Sequence, residues 1–139
     1  MIKPFCIAEI GINHNGNLDI ANKLILESKI SGFDAVKFQK RDIDIVYSKE
    51  TLETPRESPW GNTTEQQKRG LEFGQNEYEK INDLCKSEKI EWFASAWDKN
   101  SLLFLKQFNL TYNKVASPMI VDLDFLENIS KQKKHTFIS

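Results

Sequence analysis

Short apolar runs alternate with stretches whose apolar residues recur every three to four positions, and this alternation limits the fold more than any other feature of the chain. Phe5-Cys6-Ile7-Ala8-Glu9-Ile10, closed by Gly11, reads as a strand. Ala35–Gln39, Glu91–Ala96, Tyr112–Ala116 and the beginning of a further run at Thr136–Ile138 read the same way. Between the first two lies Leu18–Ser31, where Ile20, Ala21, Leu24 and Ile25 fall at helical spacing, with Asn17 placed as N-cap and Gly32 as stop. Asn76–Glu88 sets Tyr78, Ile81 and Cys85 on one helical face. Asp98 is placed to cap a helix whose apolar side is Leu102, Leu105 and Phe108, and Leu123–Lys131 is a fourth helix.

The order is therefore β-α-β-α-β-α-β-α-β, which implies parallel strands with helices packed outside them. Two architectures share it, the doubly wound open sheet and the eight-fold β/α barrel. No Gly-x-Gly-x-x-Gly follows the first strand, which weakens the dinucleotide-binding version. A whole barrel needs roughly 200 residues or more, and this chain has 139. The expectation is an α/β fold of (β/α)8 TIM-barrel type with about its first half present: four βα units and the start of a fifth strand, residues 1–139 forming the N-terminal portion of the barrel domain. One long segment, Lys40–Gly74, interrupts the rhythm with Pro55, Pro59, Trp60 and Gly61 and room for a short helix at Thr64–Arg69. Loops of that length in compact domains are often functional.

Composition narrows the partners. The net charge of −1 gives no electrostatic reason to expect nucleic acid or an anionic membrane. Lys131, Lys133 and Lys134 read as a solvated helix end. No apolar run approaches the roughly 20 residues that cross a bilayer, and Met1–Glu9 is too short and too soon acidic for a signal peptide. Cys6 and Cys85 read as buried free thiols in a reducing compartment, so a cytoplasmic protein is expected.

In parallel α/β folds the chemistry gathers at the C-terminal ends of the strands. The first strand brings Glu9 there, followed by Asn13, His14 and Asn15; the second brings Lys37, Gln39, Lys40 and Arg41; the third Ser95 and Asp98; the fourth Lys114 and Ser117. Lys37, between Val36 and Phe38, is a lysine in a buried strand and must have a partner. That partner is either Glu9 in a structural ion pair or a bound anion. Lys114 repeats the pattern, and two lysines with two serine hydroxyls make a cradle for phosphate or carboxylate. Glu9 is the natural acid or base, or else simply the partner of Lys37. His14 either contacts substrate or shapes a tight polar loop; His135 reads as structural. Of the tryptophans, Trp92 reads as core, while Trp60 and Trp97 are open to stacking on a sugar. No pair of histidines or carboxylates has metal-ligand spacing on one element.

At these residues the chain resembles the N-acetylneuraminate (sialic acid) synthases, the NeuB-like family. The resemblance runs through Ala8-Glu9-Ile10-Gly11-Ile12-Asn13-His14-Asn15-Gly16 and Asp34-Ala35-Val36-Lys37-Phe38-Gln39-Lys40. It continues through Ser58-Pro59-Trp60-Gly61, Lys68-Arg69-Gly70-Leu71-Glu72-Phe73, Phe93-Ala94-Ser95-Ala96 and Lys114-Val115-Ala116-Ser117. It implies a transferase that condenses phosphoenolpyruvate with N-acetylmannosamine, a related N-acylated amino sugar or its 6-phosphate. Lys37, Lys114, Ser95 and Ser117 would bind phosphoenolpyruvate, Gln39 would lie on the amino-sugar side, and Glu9 would be the acid/base. The resemblance also implies a divalent metal, Mn or Mg, held by histidines of later strands. It further implies a C-terminal antifreeze-like domain that lends an arginine to a neighbouring subunit in a homodimer. Neither lies within residues 1–139, so this piece alone is expected to be inactive. Pro118 and Met119 stand where many members have a small and then an acidic residue, a departure that bears on the geometry near Ser117 or on which sugar is accepted. Two other readings stay open: a non-catalytic half-barrel that binds a phosphosugar or a protein partner, and a different barrel enzyme that uses phosphoenolpyruvate.

Overall fold

A computed structural model describes residues 3–139. Five parallel strands form one sheet: β1 Ile7–Gly11, β2 Ala35–Lys40, β5 Glu91–Ala96, β6 Tyr112–Val115 and β7 His135–Ile138, in the order β1-β2-β5-β6-β7. Every new sheet strand is added to the same edge. A doubly wound sheet reverses direction at a switch point, so this unreversed order is that of a barrel wall, here an arc of five strands.

The helices follow the sequence signals. Helix α1, Leu18–Ile30, starts where the Asn17 side chain accepts from the backbone N–H groups of Asp19 (2.8 Å) and Ile20 (3.1 Å). It ends at Gly32, whose φ of 81° suits glycine. Helices α5 (Gln75–Ser87), α6 (Lys99–Lys106) and α7 (Leu123–Ser130) cover the rest of the outer face. Phe108, assigned to the apolar side of the third helix, lies just past the end of α6 but still packs on the core. Between sheet and helices the apolar layer includes Ala21, Ile25, Val36, Phe38, Tyr78, Ile81, Trp92, Leu102, Val115, Phe125 and Ile129. Burying each large member removes about 1.5–3 kcal/mol worth of apolar surface from water. Trp92 is core as expected, its indole N–H donating to Asn82. The concave face holds aromatic side chains low in the arc, with Phe93 stacked on Phe137 at 5.6 Å and tilted on Tyr112 at 5.7 Å.

Two expectations are corrected. Lys40–Gly74 is a structured insertion, with helices α2 (Ile43–Val46), α3 (Lys49–Glu53) and α4 (Thr64–Leu71) and an antiparallel hairpin of β3 (Pro55–Ser58) and β4 (Gly61–Thr63). Its short elements are set by local hydrogen bonds that apolar periodicity does not report, among them the Thr63–Gln66 capping box. Cys6 is only half-buried, because the chain enters the sheet at Ile7 and not at Phe5; Cys85 is buried, which pushes its thiol up to about 12.

Candidate active site

The register of the parallel sheet brings the chemistry together. Glu9 is paired with Lys37, Gln39 with Ser95, and Ser95 with Lys114. Side chains two apart share a face, so Lys37 and Gln39 of β2 point the same way, into the arc. The result is a cavity of about 250 Å³ lined by Glu9, Lys37, Gln39, Ser95, Lys114 and Ser117, with Trp97, Ala116, Pro118 and Ser139 completing it.

Both lysines are anchored and neither is saturated. The Lys37 ammonium lies 2.6 Å from the Glu9 carboxylate and donates to the Ser95 hydroxyl at 3.2 Å. The Lys114 ammonium donates to the Val115 carbonyl at 2.8 Å and to the Ser139 hydroxyl at 2.6 Å. An ammonium has three N–H donors, so each lysine keeps one for a ligand. The Lys37 side chain is 10% exposed, while that of Glu9, level with it on the edge strand β1, is 54% exposed. Burial, and then repulsion from Lys37, hold the Lys114 pKa below the ordinary lysine value, with Glu9 opposing. An anion between the two ammonium groups relieves that repulsion.

The other residues singled out from sequence go elsewhere. Asn13 is exposed in the β1–α1 loop and does not line the cavity. His14 is buried, 3% exposed, and stacks on Phe73 at 3.9 Å between ring centroids. Its Nδ1 accepts from the Gly16 N–H at 3.1 Å, so the neutral ring carries its proton on Nε2. This is a loop-packing role: a Cβ at Gly16 would collide with the Gly70 carbonyl of the insertion, and one at Gly70 with the Trp60 ring. Trp60 is therefore spent on holding the two loops together. Lys40 and Arg41 turn to the outer face and share the Glu72 carboxylate, at 3.6 and 2.7 Å. Asp98 caps α6 through the Ser101 N–H. Missed by sequence reasoning were Ser139 as a partner of Lys114, and Glu72. Ser139 lies two residues beyond the inward-facing Phe137, so extending the alternation one step reaches it.

Burial lowers the His14 pKa to about 4, assisted by Arg41 and opposed by the backbone at Gly11. Between that value and the ordinary 6.5 the unfolded chain binds a proton that the folded one excludes, so stability rises with pH across the window. Acidification from pH 7 to 4 is expected to remove about 2–3 kcal/mol through this residue. Urea unfolding of wild type and His14→Asn across that range checks it: the variant should lose about one proton's worth of slope, and parallel curves would show that His14 does not titrate on unfolding.

A larger cavity of about 480 Å³ opens on the outer face beside α6, where the buried Lys40 and Arg41 meet Glu72. There the two cations share one carboxylate, with one Arg41 nitrogen left unpartnered, whereas the inner cavity gathers lysines and serines from three neighbouring strand ends. Among the described residues no group of three or more His, Cys, Asp or Glu side chains is placed to hold a metal ion. No helix of the described residues is long and apolar enough to cross a membrane.

Comparison with known proteins agrees with this arrangement. Residues 24–139 match the NeuB family. The chain is 35% identical over 137 residues to human N-acetylneuraminate-9-phosphate synthase, covering 97% of this chain and 38% of that one. It is 32% identical over 139 residues to the N,N'-diacetyllegionaminic acid synthase of Legionella pneumophila, covering 97% and 39%. The crystal structure of the sialic acid synthetase of Leptospira borgpetersenii, solved in complex with citrate, superposes with a TM-score of 0.81 at 25% identity, over 96% of this chain and 43% of that one. The chain thus spans about two fifths of the length of the relatives it matches. With strand order, rim chemistry and sequence in agreement, this chain belongs to the NeuB family.

Proposed function

We propose that the full-length protein is a nonulosonic acid synthase, joining phosphoenolpyruvate to the aldehyde of an N-acylated amino sugar with release of inorganic phosphate. The observation that carries this reading is the convergence of Lys37, Lys114, Ser95 and Ser117, from three strands, on the one cavity that Glu9 and Gln39 also line. Phosphoenolpyruvate carries two anionic groups, and two ammonium groups with spare donors suit it. Residues 1–139 then form the N-terminal part of the barrel domain.

In the reaction, C3 of phosphoenolpyruvate forms a bond to the aldehyde carbon, and the aldehyde oxygen gains a proton. Water adds at C2 and loses a proton, and the C2–O bond to phosphate breaks, leaving the 2-keto acid. The lysines hold the carboxylate and phosphate and fix one enol face against the acceptor, a matter of positioning and charge stabilisation. Gln39, on the same face as Lys37 and two residues nearer the strand's C-terminal end, serves the acceptor side. Glu9, beside Lys37 in the cavity lining, would pass a proton to the aldehyde oxygen or take one from the water. The divalent metal implied by the family has no ligand set among the described residues.

The test is phosphate release from phosphoenolpyruvate that depends on an N-acylated amino sugar. No release with any such acceptor would refute the reading. Glu9→Gln is expected to lower kcat by about 10²–10⁴-fold with little change in either KM. A rise in KM at normal kcat would instead make Glu9 only the binding partner of Lys37.

A further inference from the structure

We infer that Gly11 is a positioning residue: the space that its missing side chain leaves open is where the Glu9 carboxylate stands for proton transfer, beside the Gln39 amide. This rests on the synthase reading above and adds to that site a residue that acts only through another. Glycine occupies position 11 for room and not for backbone conformation, and two contrasts within the chain separate those reasons.

Gly11 is buried and has a φ of 54°, in the left-handed region. Asn15, Lys89, Asn109 and Lys133 adopt the same conformation, with φ between 51° and 53°, and each carries a side chain. The fold therefore accepts side chains at this φ. Gly32, at 81°, is the opposite case: a Cβ added there would meet nothing within 4 Å. At Gly11 the added carbon would lie 3.1 Å from Glu9 Oε1 and 3.5 Å from Gln39 Nε2. The first distance is tighter than ordinary van der Waals contact, so either the backbone or the carboxylate would have to give way.

The sheet register explains how Gly11 comes to lie there. Glu9 pairs with Lys37 and Gly11 with Phe38, so β1 spends two residues where β2 spends one, a bulge of the kind that re-aims side chains beside active sites. In a regular register Gly11 would be level with Gln39. With the bulge it lies between the levels of Lys37 and Gln39, the two inward-facing side chains of β2. The two Glu9 oxygens are thereby divided. Oε2 is held by Lys37 at 2.6 Å, while Oε1 faces Gly11, as does the Gln39 amide nitrogen. Oε2 anchors the carboxylate, and Oε1 passes the proton in the condensation. The backbone after Gly11 has little freedom to yield: the Asn13 N–H donates to the Ile10 carbonyl at 2.9 Å, and His14 is stacked on Phe73. The Glu9 side chain is half-exposed, so it is the group that moves. A side chain at position 11 displaces this carboxylate at small cost to the fold.

The experiment measures phosphate release from phosphoenolpyruvate by the full-length protein, using whichever of N-acetylmannosamine, its 6-phosphate and a diacetylated amino sugar the wild type turns over fastest. Gly11→Ala is expected to lower kcat by about 10–100-fold, the size of a small misplacement of a reacting group, with the KM for phosphoenolpyruvate within about threefold of wild type. Gly11→Asn should fall as far, since it adds the same Cβ in a residue type that tolerates this φ. In a Glu9→Gln background either change at position 11 should lower kcat by less than about threefold more, because the group it displaces no longer transfers a proton. Gly32→Ala is the control: it should keep the wild-type kcat while its urea midpoint falls about as much as that of Gly11→Ala. Wild-type kcat in both Gly11 variants, or an equal loss with and without Glu9→Gln, would overturn the inference and leave the synthase reading intact. No release with any of the three acceptors would overturn both.

Discussion

Lys37→Met and Lys114→Met are each expected to lower kcat/KM for phosphoenolpyruvate by about 10²–10³-fold in the full-length protein, the usual consequence of removing a buried charged donor from a reacting anion. Methionine keeps most of the apolar stem, so packing is largely spared. The structure separates a loss of binding from a loss of fold. Within the described residues Glu9, the partner that Lys37 leaves behind, lies half-exposed on the edge strand β1. Thermal stability should therefore change by less than the kinetics, and the KM for the acceptor sugar should stay within about threefold of wild type. After burial, repulsion between the two ammonium groups also helps to hold the Lys114 pKa down. They act on one ligand, so the double variant should fall short of the product of the two single effects. Steady-state kinetics at saturating acceptor measure all of this. Wild-type kinetics in both single variants would mean that the cavity does not bind phosphoenolpyruvate.

Why these residues were legible from sequence, and others were not, follows from what each signal reports. Alternation along a strand fixes which side chains share a face. The identity of the sheet and the convergence of Lys37, Ser95 and Lys114 needed only that rule and a parallel register. His14 was ambiguous because a polar residue in a polar loop carries no periodic signal. Its burial comes from Phe73, nearly sixty positions away, which reaches it only through the insertion. Trp60 was ambiguous for the same reason, its partners being two glycines without side chains to announce a contact. Lys40 and Arg41 were placed at the rim by position in the chain, yet alternation alone turns Lys40 outward once Gln39 is inward. The insertion itself is built from caps, a hairpin and close backbone approaches. It lacks the repeating apolar face that makes α1 and α5 readable.

Glu72→Ala is expected to destabilise the protein by about 3–5 kcal/mol, because it strands two buried cations at once. Glu72 follows α4 directly and reaches across to the C-terminal end of β2, where its side chain is 10% exposed and those of Lys40 and Arg41 are 14% and 4%. Burial works against the Arg41 charge, and Glu72 and Tyr47 together more than compensate, so the Arg41 pKa is raised. The same carboxylate accepts from the Arg41 backbone N–H, while Lys40 donates to the Phe73 carbonyl at 2.9 Å. The insertion is thus fastened to the outer side of the strand whose inner side carries Lys37 and Gln39. A domain of this size has about 5–15 kcal/mol in hand, so the loss should be plain in urea unfolding. Glu65→Ala is the control: it removes a carboxylate from Arg69 on the exposed face of α4 and should cost under about 1 kcal/mol. Glu72→Gln should lie between the two, since the amide oxygen still accepts but carries no charge. A Glu72→Ala loss no larger than that of Glu65→Ala would mean that Lys40 and Arg41 find water when their partner is removed. The insertion would then be held by Trp60 packing on Gly70 and by His14 stacking on Phe73, and the position of β2 beneath the cavity would not depend on the ion pair.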